Sequence, residues 1–239
     1  MRRIKLFAAA EGLLFGMSMF FFTLDYNGGP EGLSSRIIYS KEAKLIREII
    51  DREGEHESEL PEDCIGFLSV DGTSIEYPVM RDRTDSEGNY YYLTHNYLGN
   101  EDSSGCPFIR RSQTLEDDLI TIFAHNNRNG TMFADLRLFE DEAFFDRYRE
   151  ITLDTETEIR SYEVVSVMDV SVFDDAFSFW GWNNLPDEDT EEEFLDQIIN
   201  SSVIHTDEEL SPGNQYLMLV TCEYSHDNGR RIVVAVRRR

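Results

Sequence analysis

The stretch that most limits how this chain can fold lies near its end, at 215–236, QYLMLVTCEYSHDNGRRIVVAV. Residues 216–224 form a run of β-branched, aromatic and aliphatic side chains, Asp227-Asn228-Gly229 supplies turn chemistry, and 230–236 is a second β run. Two such runs across a polar turn specify a β-hairpin with Cys222 near its mouth. A cysteine beside a guanidinium, with a histidine brought in from elsewhere, is the starting point of an acyl-transfer site.

Upstream, from Cys64 onward, short β runs recur at 65–70, 75–80, 107–110, 119–125, 150–155 and 159–172, the first two separated by Asp71-Gly72. Strands at this spacing, broken by turns, predict a mostly β fold closed or nearly closed into a barrel. Peripheral helices are expected at 89–98, 132–148 and 190–201, the last opened by a capping box of Thr190 and Glu193.

The N-terminal part has a different texture. Arg2, Arg3 and Lys5 precede an apolar span, 6–24, whose single charge is Glu11. That layout, without a small-x-small cleavage site after it, predicts a membrane anchor with its basic end in the cytoplasm and the rest exported. Residues 25–62 read as a linker and an N-terminal helix, capped by Ser40 and striped by Leu45, Ile46, Ile49 and Ile50. Residues 63–239 are the expected catalytic domain. Localisation is accordingly expected at the cell membrane, single-pass, with that domain on the extracellular face.

Charge excludes one class of partner. Forty-seven acidic residues against twenty-two basic ones leave a net −25, which repels nucleic acid phosphates. No D-x-D-x-D-G loop suggests calcium, and Cys64, Cys106 and Cys222 contain no C-x-x-C pair for a metal ribbon or redox dithiol. Neither metal nor cofactor is expected. Cys64 and Cys106 each open an apolar run and read as small buried hydrophobes, with a disulfide between them the alternative.

Among the histidines, His125 stands at the end of the β run LITIFAH, where a barrel rim would present it. His226 is four residues beyond Cys222, roughly 13 Å in extended chain, and meets the thiol only if the loop folds back. His56, His95 and His205 have no strand to position them. Cys222 would then act as the nucleophilic thiolate, and His125 would take the thiol proton and return it to the leaving amine. An arginine would supply charge and donors to the tetrahedral oxygen, together with main-chain N–H groups near Thr221 and Glu223. Arg230 and Arg231 face opposite sides of a strand, and a one-residue slip exchanges them, so hairpin drawing leaves the choice open.

These residues resemble a family. LVTCEY followed by GRRIVV, with FAHNNRNGTMFADL far upstream, resembles the sortase pattern of Thr-x-Thr-Cys, Arg-hydrophobic-Val and an earlier His-Asn. His125, Asn126, Gly130, Met132, Phe133 and Leu136 are similar to class B sortases in particular, as are IGFLSVDGTSIEYPVM at 65–80 and the helix before the cysteine strand. The resemblance implies a closed eight-stranded sortase-like barrel and a catalytic set of Cys222, His125 and Arg231, the arginine directly before the hydrophobic-Val pair. It further implies a membrane-anchored transpeptidase that cuts the C-terminal sorting-signal peptide of secreted proteins after Thr. The acyl group would be held as a thioester and passed to an amine of a peptidoglycan precursor or a pilin. Two departures stand out. Val220 occupies the position of the motif's first Thr, and 174–188 carries Trp180 and Trp182, which would wall a peptide groove or pack in the core. The rival readings are a cysteine hydrolase, separated by adding an amine, and a non-catalytic acidic binding barrel, marked by an inert Cys222 thiol.

Overall fold

The structure is a computed structural model that describes residues 61–84, 89–171, 185, 187–204, 206, 210–224 and 228–238. The expected anchor, linker and N-terminal helix, Trp180, Trp182, His56, His205 and His226 lie outside the described residues. Among those described, no helix is long and apolar enough to cross a membrane.

Eight strands close into a barrel: β1 (Cys64–Val70), β2 (Glu76–Arg81), β3 (Phe108–Ile109), β4 (Leu119–Phe123), β5 (Glu150–Asp154), β6 (Ile159–Ser171), β7 (Tyr216–Glu223) and β8 (Gly229–Arg237). Their order around the barrel is β1-β2-β3-β4-β7-β8-β6-β5, with β5 closing on β1. The β1–β2 hairpin turns through Asp71-Gly72, where Gly72 has φ of 73° and a Cβ would stand 2.5 Å from the Tyr148 ring. Only glycine fits that turn.

Two pairs, β2–β3 and β4–β7, run parallel and the rest antiparallel. Parallel neighbours need a long crossover. The chain uses the β4-to-β7 crossover to build β5, β6 and the two described α-helices, so the His125 and Cys222 segments come side by side although far apart in sequence.

Why β4, β7 and β8 are apolar almost throughout follows from the two cores. Leu68, Tyr77, Ile109, Ile120, Leu153, Val164, Leu217 and Val233 belong to one cluster fed by all eight strands, which is the barrel interior. Their alternates, including Phe67, Phe108, Phe123, Met218, Val220, Cys222 and Ile232, form a second cluster with Tyr92, Leu93, Phe194 and Ile198 on the outer face. Strands buried on both faces read as continuous apolar runs instead of alternating.

Helix α1 (Glu142–Arg147) follows a 3₁₀ segment, Phe133–Glu140, where the sequence predicts one helix over 132–148. At 89–98 only Tyr91–Leu93 is helical, again 3₁₀. Helix α2 (Glu188–Asn200) starts two residues before the expected Thr190. The cap is Asp187, whose carboxylate accepts from Thr190 N at 2.8 Å and Thr190 Oγ1 at 2.6 Å. The expected Thr190/Glu193 capping box is therefore corrected: Thr190 donates to the cap. Acidic Glu188, Asp189 and Glu191 in the first turn suit the helix's positive end. Glu191 also accepts from Gly213 N at 2.8 Å, tying α2 to the loop that leads into β7.

Candidate active site

Cα pairing across β7 and β8 matches Cys222 with Arg230 and Thr221 with Arg231. Residues directly opposite in an antiparallel pair share a face. Cys222 therefore stands beside Arg230 on the outer face, and Arg230 is the arginine that favours its thiolate. Arg231 is turned the other way. Its Nε and Nη2 donate to the two oxygens of Asp169 at 2.9 and 2.8 Å, and Nη2 also meets Glu140. The expectation that Arg231 faces the cysteine is thus corrected by one residue of register, a slip that exchanges every side chain between faces. Arg231 cross-links β8, β6 and the Phe133–Glu140 segment.

His125, expected as the last residue of its strand, lies two residues past the observed end of β4. The ladder continues nonetheless, with Ala124 N donating to Val220 O at 3.2 Å. Three further bonds lock the ends of β4 and β7. Thr221 Oγ1 donates to Ala124 O at 2.8 Å, Asn126 Nδ2 to Cys222 O at 2.8 Å, and Tyr224 Oη to Asn126 O at 2.7 Å. Thr221, expected from sequence near the main-chain oxyanion donors, has its side chain committed to this lock.

After Asn126 the chain loops back on itself. Phe133 N donates to His125 O at 2.9 Å, and Asn126 bridges Met132. Met132 turns the corner at φ of 57°, unusual for a non-glycine residue, with its N–H held by Tyr77 Oη at 3.1 Å. Such backbone costs about 1–3 kcal/mol and persists where its surroundings over-determine it.

The His125 ring is 8% exposed, and its Nε2 lies 2.9 Å from Leu93 O. A carbonyl only accepts, so Nε2 carries the proton and Nδ1 is the basic nitrogen of the neutral ring. Leu93, Cys106 and Cys222 belong to the same outer cluster, which sets the imidazole and the thiol on one face of the barrel. Burial pushes the Cys222 thiol upward, opposed by Arg230, and pushes His125 downward, opposed by the Leu93 carbonyl. Both shifts favour a neutral thiol and neutral imidazole at rest.

Tyr224, two residues beyond Cys222, is about half exposed; partial desolvation and Cys222 push its hydroxyl upward, against Arg128 and Arg230, and its contact with solvent moderates the shift. Glu223 ends β7 opposite Gly229. His95 is spent locally, its Nδ1 3.0 Å from both Tyr91 O and Thr94 Oγ1. Cys64 and Cys106 are free thiols, Cys106 buried and Cys64 raised to about 11 by burial, so no disulfide joins them.

Sequence reasoning held Arg230 only as the alternative to Arg231, and assigned no role to Asn126, Tyr224 or the Leu93 carbonyl. Asn126 carried a signal, being next to His125, and Tyr224 another, being in step with Cys222. A main-chain carbonyl carries none.

A sortase-domain family model matches residues 68–238. The chain belongs to the sortase family, whose members are transpeptidases. Sortase B of Listeria monocytogenes is 29% identical over 179 residues, covering 73% of this chain and 69% of that protein. The crystal structure of Clostridium perfringens sortase B is 26% identical with a TM-score of 0.67, covering 84% of this chain and 100% of that one. A Staphylococcus aureus sortase B–substrate complex has a TM-score of 0.74 at 22% identity, covering 88% and 99%, a likeness of fold. Within the family this is a class B sortase.

Proposed function

We propose that this sortase cuts the C-terminal sorting signal of exported proteins, holds the acyl group as a thioester on Cys222 and passes it to an amine of cell-wall peptide or a pilin. The observation that carries the reading is the pairing of Cys222 with Arg230 at the level where His125 leaves β4.

The chemistry follows from those positions. His125 Nδ1 takes the Sγ proton as sulfur attacks the scissile carbonyl carbon. Arg230 and the N–H of Glu223 donate to the oxygen that becomes negative. On collapse, the imidazolium gives its proton to the leaving amine and a thioester remains. An incoming amine then attacks that thioester and gives a proton to His125, and Cys222 departs as thiolate and regains that proton as the new amide forms.

Arg230 is the oxyanion partner in this reading because a guanidinium must lie on the sulfur's side of the strand. The apolar span 6–24 would hold the domain at the outer face of the cell membrane.

The test is incubation of the purified full-length chain with a fluorescent sorting peptide, with and without a glycine-peptide or lysine amine. A covalent adduct on Cys222 and an amine-dependent ligated product are expected, and both vanish in Cys222→Ala. Cleavage that never yields ligated product would indicate a hydrolase. Comparing the acceptor amines separates cell-wall attachment from pilin joining.

A further inference from the structure

Leu93 O, which touches His125, belongs to the main chain, so what fixes the Tyr91–Leu93 turn also fixes the ring. Among the described residues, the turn has one buried carboxylate beside it. Asp82 is 2% exposed, just past β2, with its own N–H donating to Ile109 O at 2.9 Å. Both its oxygens are used. Oδ2 accepts from Tyr92 N at 3.2 Å, in the middle of the turn, while Oδ1 accepts from Thr84 N at 2.8 Å and Thr84 Oγ1 at 2.9 Å.

From the far side the turn is closed by the next loop. Cys106 N donates to Tyr92 O at 2.9 Å. Gly105, at φ of 63°, comes so near that a Cβ there would lie 2.6 Å from Tyr92 O, 3.0 Å from Leu93 O and 3.2 Å from His125 Cδ2. The Tyr91–Leu93 turn is thus held on one side by the Asp82 carboxylate through Tyr92 N and on the other by the Gly105–Cys106 backbone through Tyr92 O.

We propose that Asp82 is a positioning residue for the transpeptidation: it fixes the Tyr91–Leu93 turn and, through the Leu93 carbonyl, the orientation and tautomer of His125. This rests on the reading that His125 carries the proton. Burial of a carboxylate is costly and its hydrogen bonds recover only part of that cost, which is consistent with retention for placement. When the carbonyl drifts, neutral His125 no longer needs its proton on Nε2, and part of the population presents N–H to the thiol in place of a base.

The test uses Asp82→Ala in the full-length chain, with Thr84→Ala as the control that loses a bond to the same carboxylate but leaves the Tyr92 contact. ¹⁵N-histidine NMR, with the His125 signal identified by its loss in His125→Gln, reads the tautomer directly. Steady-state cleavage of a sorting peptide reads kcat and KM separately. Expected for Asp82→Ala are a mixed His125 tautomer and a kcat lower by on the order of tenfold to a hundredfold with KM little changed. Thr84→Ala should resemble the unaltered protein.

Asp82→Leu, which fills the same buried space but offers Tyr92 N no acceptor, should reproduce the tautomer change and decides the matter if Asp82→Ala does not fold. A pure Nε2–H tautomer and unchanged kcat in the folded variants would overturn the proposal. Failure of the unaltered protein to form an adduct on Cys222 would instead overturn the reading of the site, and the two failures are told apart because the tautomer is read without substrate.

Discussion

Cys222 and Arg230 are direct partners across the β7–β8 hairpin, while the neighbouring pair, Thr221 and Arg231, faces the other way. One hairpin thus gives its two adjacent arginines separate work. Arg230 adjusts the sulfur, and Arg231 ties three elements together through Asp169 and Glu140.

The two arginines should therefore fail differently. Arg230→Gln is expected to lower kcat/KM for a sorting peptide by on the order of 10²–10³, the cost of losing one oxyanion donor, with little change in melting temperature. Arg231→Gln should lower stability by roughly 1–3 kcal/mol by removing the paired charge-assisted hydrogen bonds that Arg231 makes to Asp169. Urea unfolding together with peptide-cleavage kinetics checks both, and reversal of the pattern would restore Arg231 to the catalytic role.

Reactivity of the thiol should rise with pH. Burial raises the Cys222 pKa, so the thiolate is scarce near neutrality, and iodoacetamide should label Cys222 with a midpoint above that of an ordinary cysteine. Arg230 works in the opposite direction, so Arg230→Gln should move the midpoint higher still. Peptide mapping of the label across a pH series gives the answer, and a shift downward would show that Arg230 is not the charge sensed by the sulfur.

Asn126→Ala should loosen the joint between β4 and β7 without removing any group that exchanges a proton. Loss of the bond to the Cys222 carbonyl is expected to cost about 1 kcal/mol of stability. Amide exchange at the ends of β4 and β7 should quicken, and turnover should fall while binding of the peptide holds. Thr221→Val, which removes the bond to Ala124 O, should act in the same direction.

Helix α2 covers the outer face through buried Phe194, Leu195 and Ile198. Phe194 is fully buried, with its ring 5.3 Å from that of Tyr216. Phe194→Ala should lower unfolding free energy by about 3–5 kcal/mol in a denaturant titration. A loss below about 1 kcal/mol would mean that the helix contributes little to holding β7.

Local patterning made much of this legible in advance. The β runs after Cys64, the Asp71-Gly72 turn, the helix before the cysteine strand and the prominence of Cys222 and His125 all depend on neighbours within a few residues. The cap of α2 was missed because Thr190 and Glu193 fit a capping pattern locally, while Asp187 at its start offered a better acceptor. The helix expected at 132–148 broke up because Met132 and Phe133 are pulled toward Tyr77 and His125, contacts that no local pattern records.

From its residues alone, then, the chain declares a β protein ending in a hairpin that carries a cysteine and two arginines, because strand propensity and turn chemistry are short-range. Which arginine meets the sulfur, and which carbonyl holds the imidazole, is decided only when the barrel closes. A strand's two faces are equivalent until its partner sets the register, and a main-chain oxygen gains a role only from the side chain that folding brings to it.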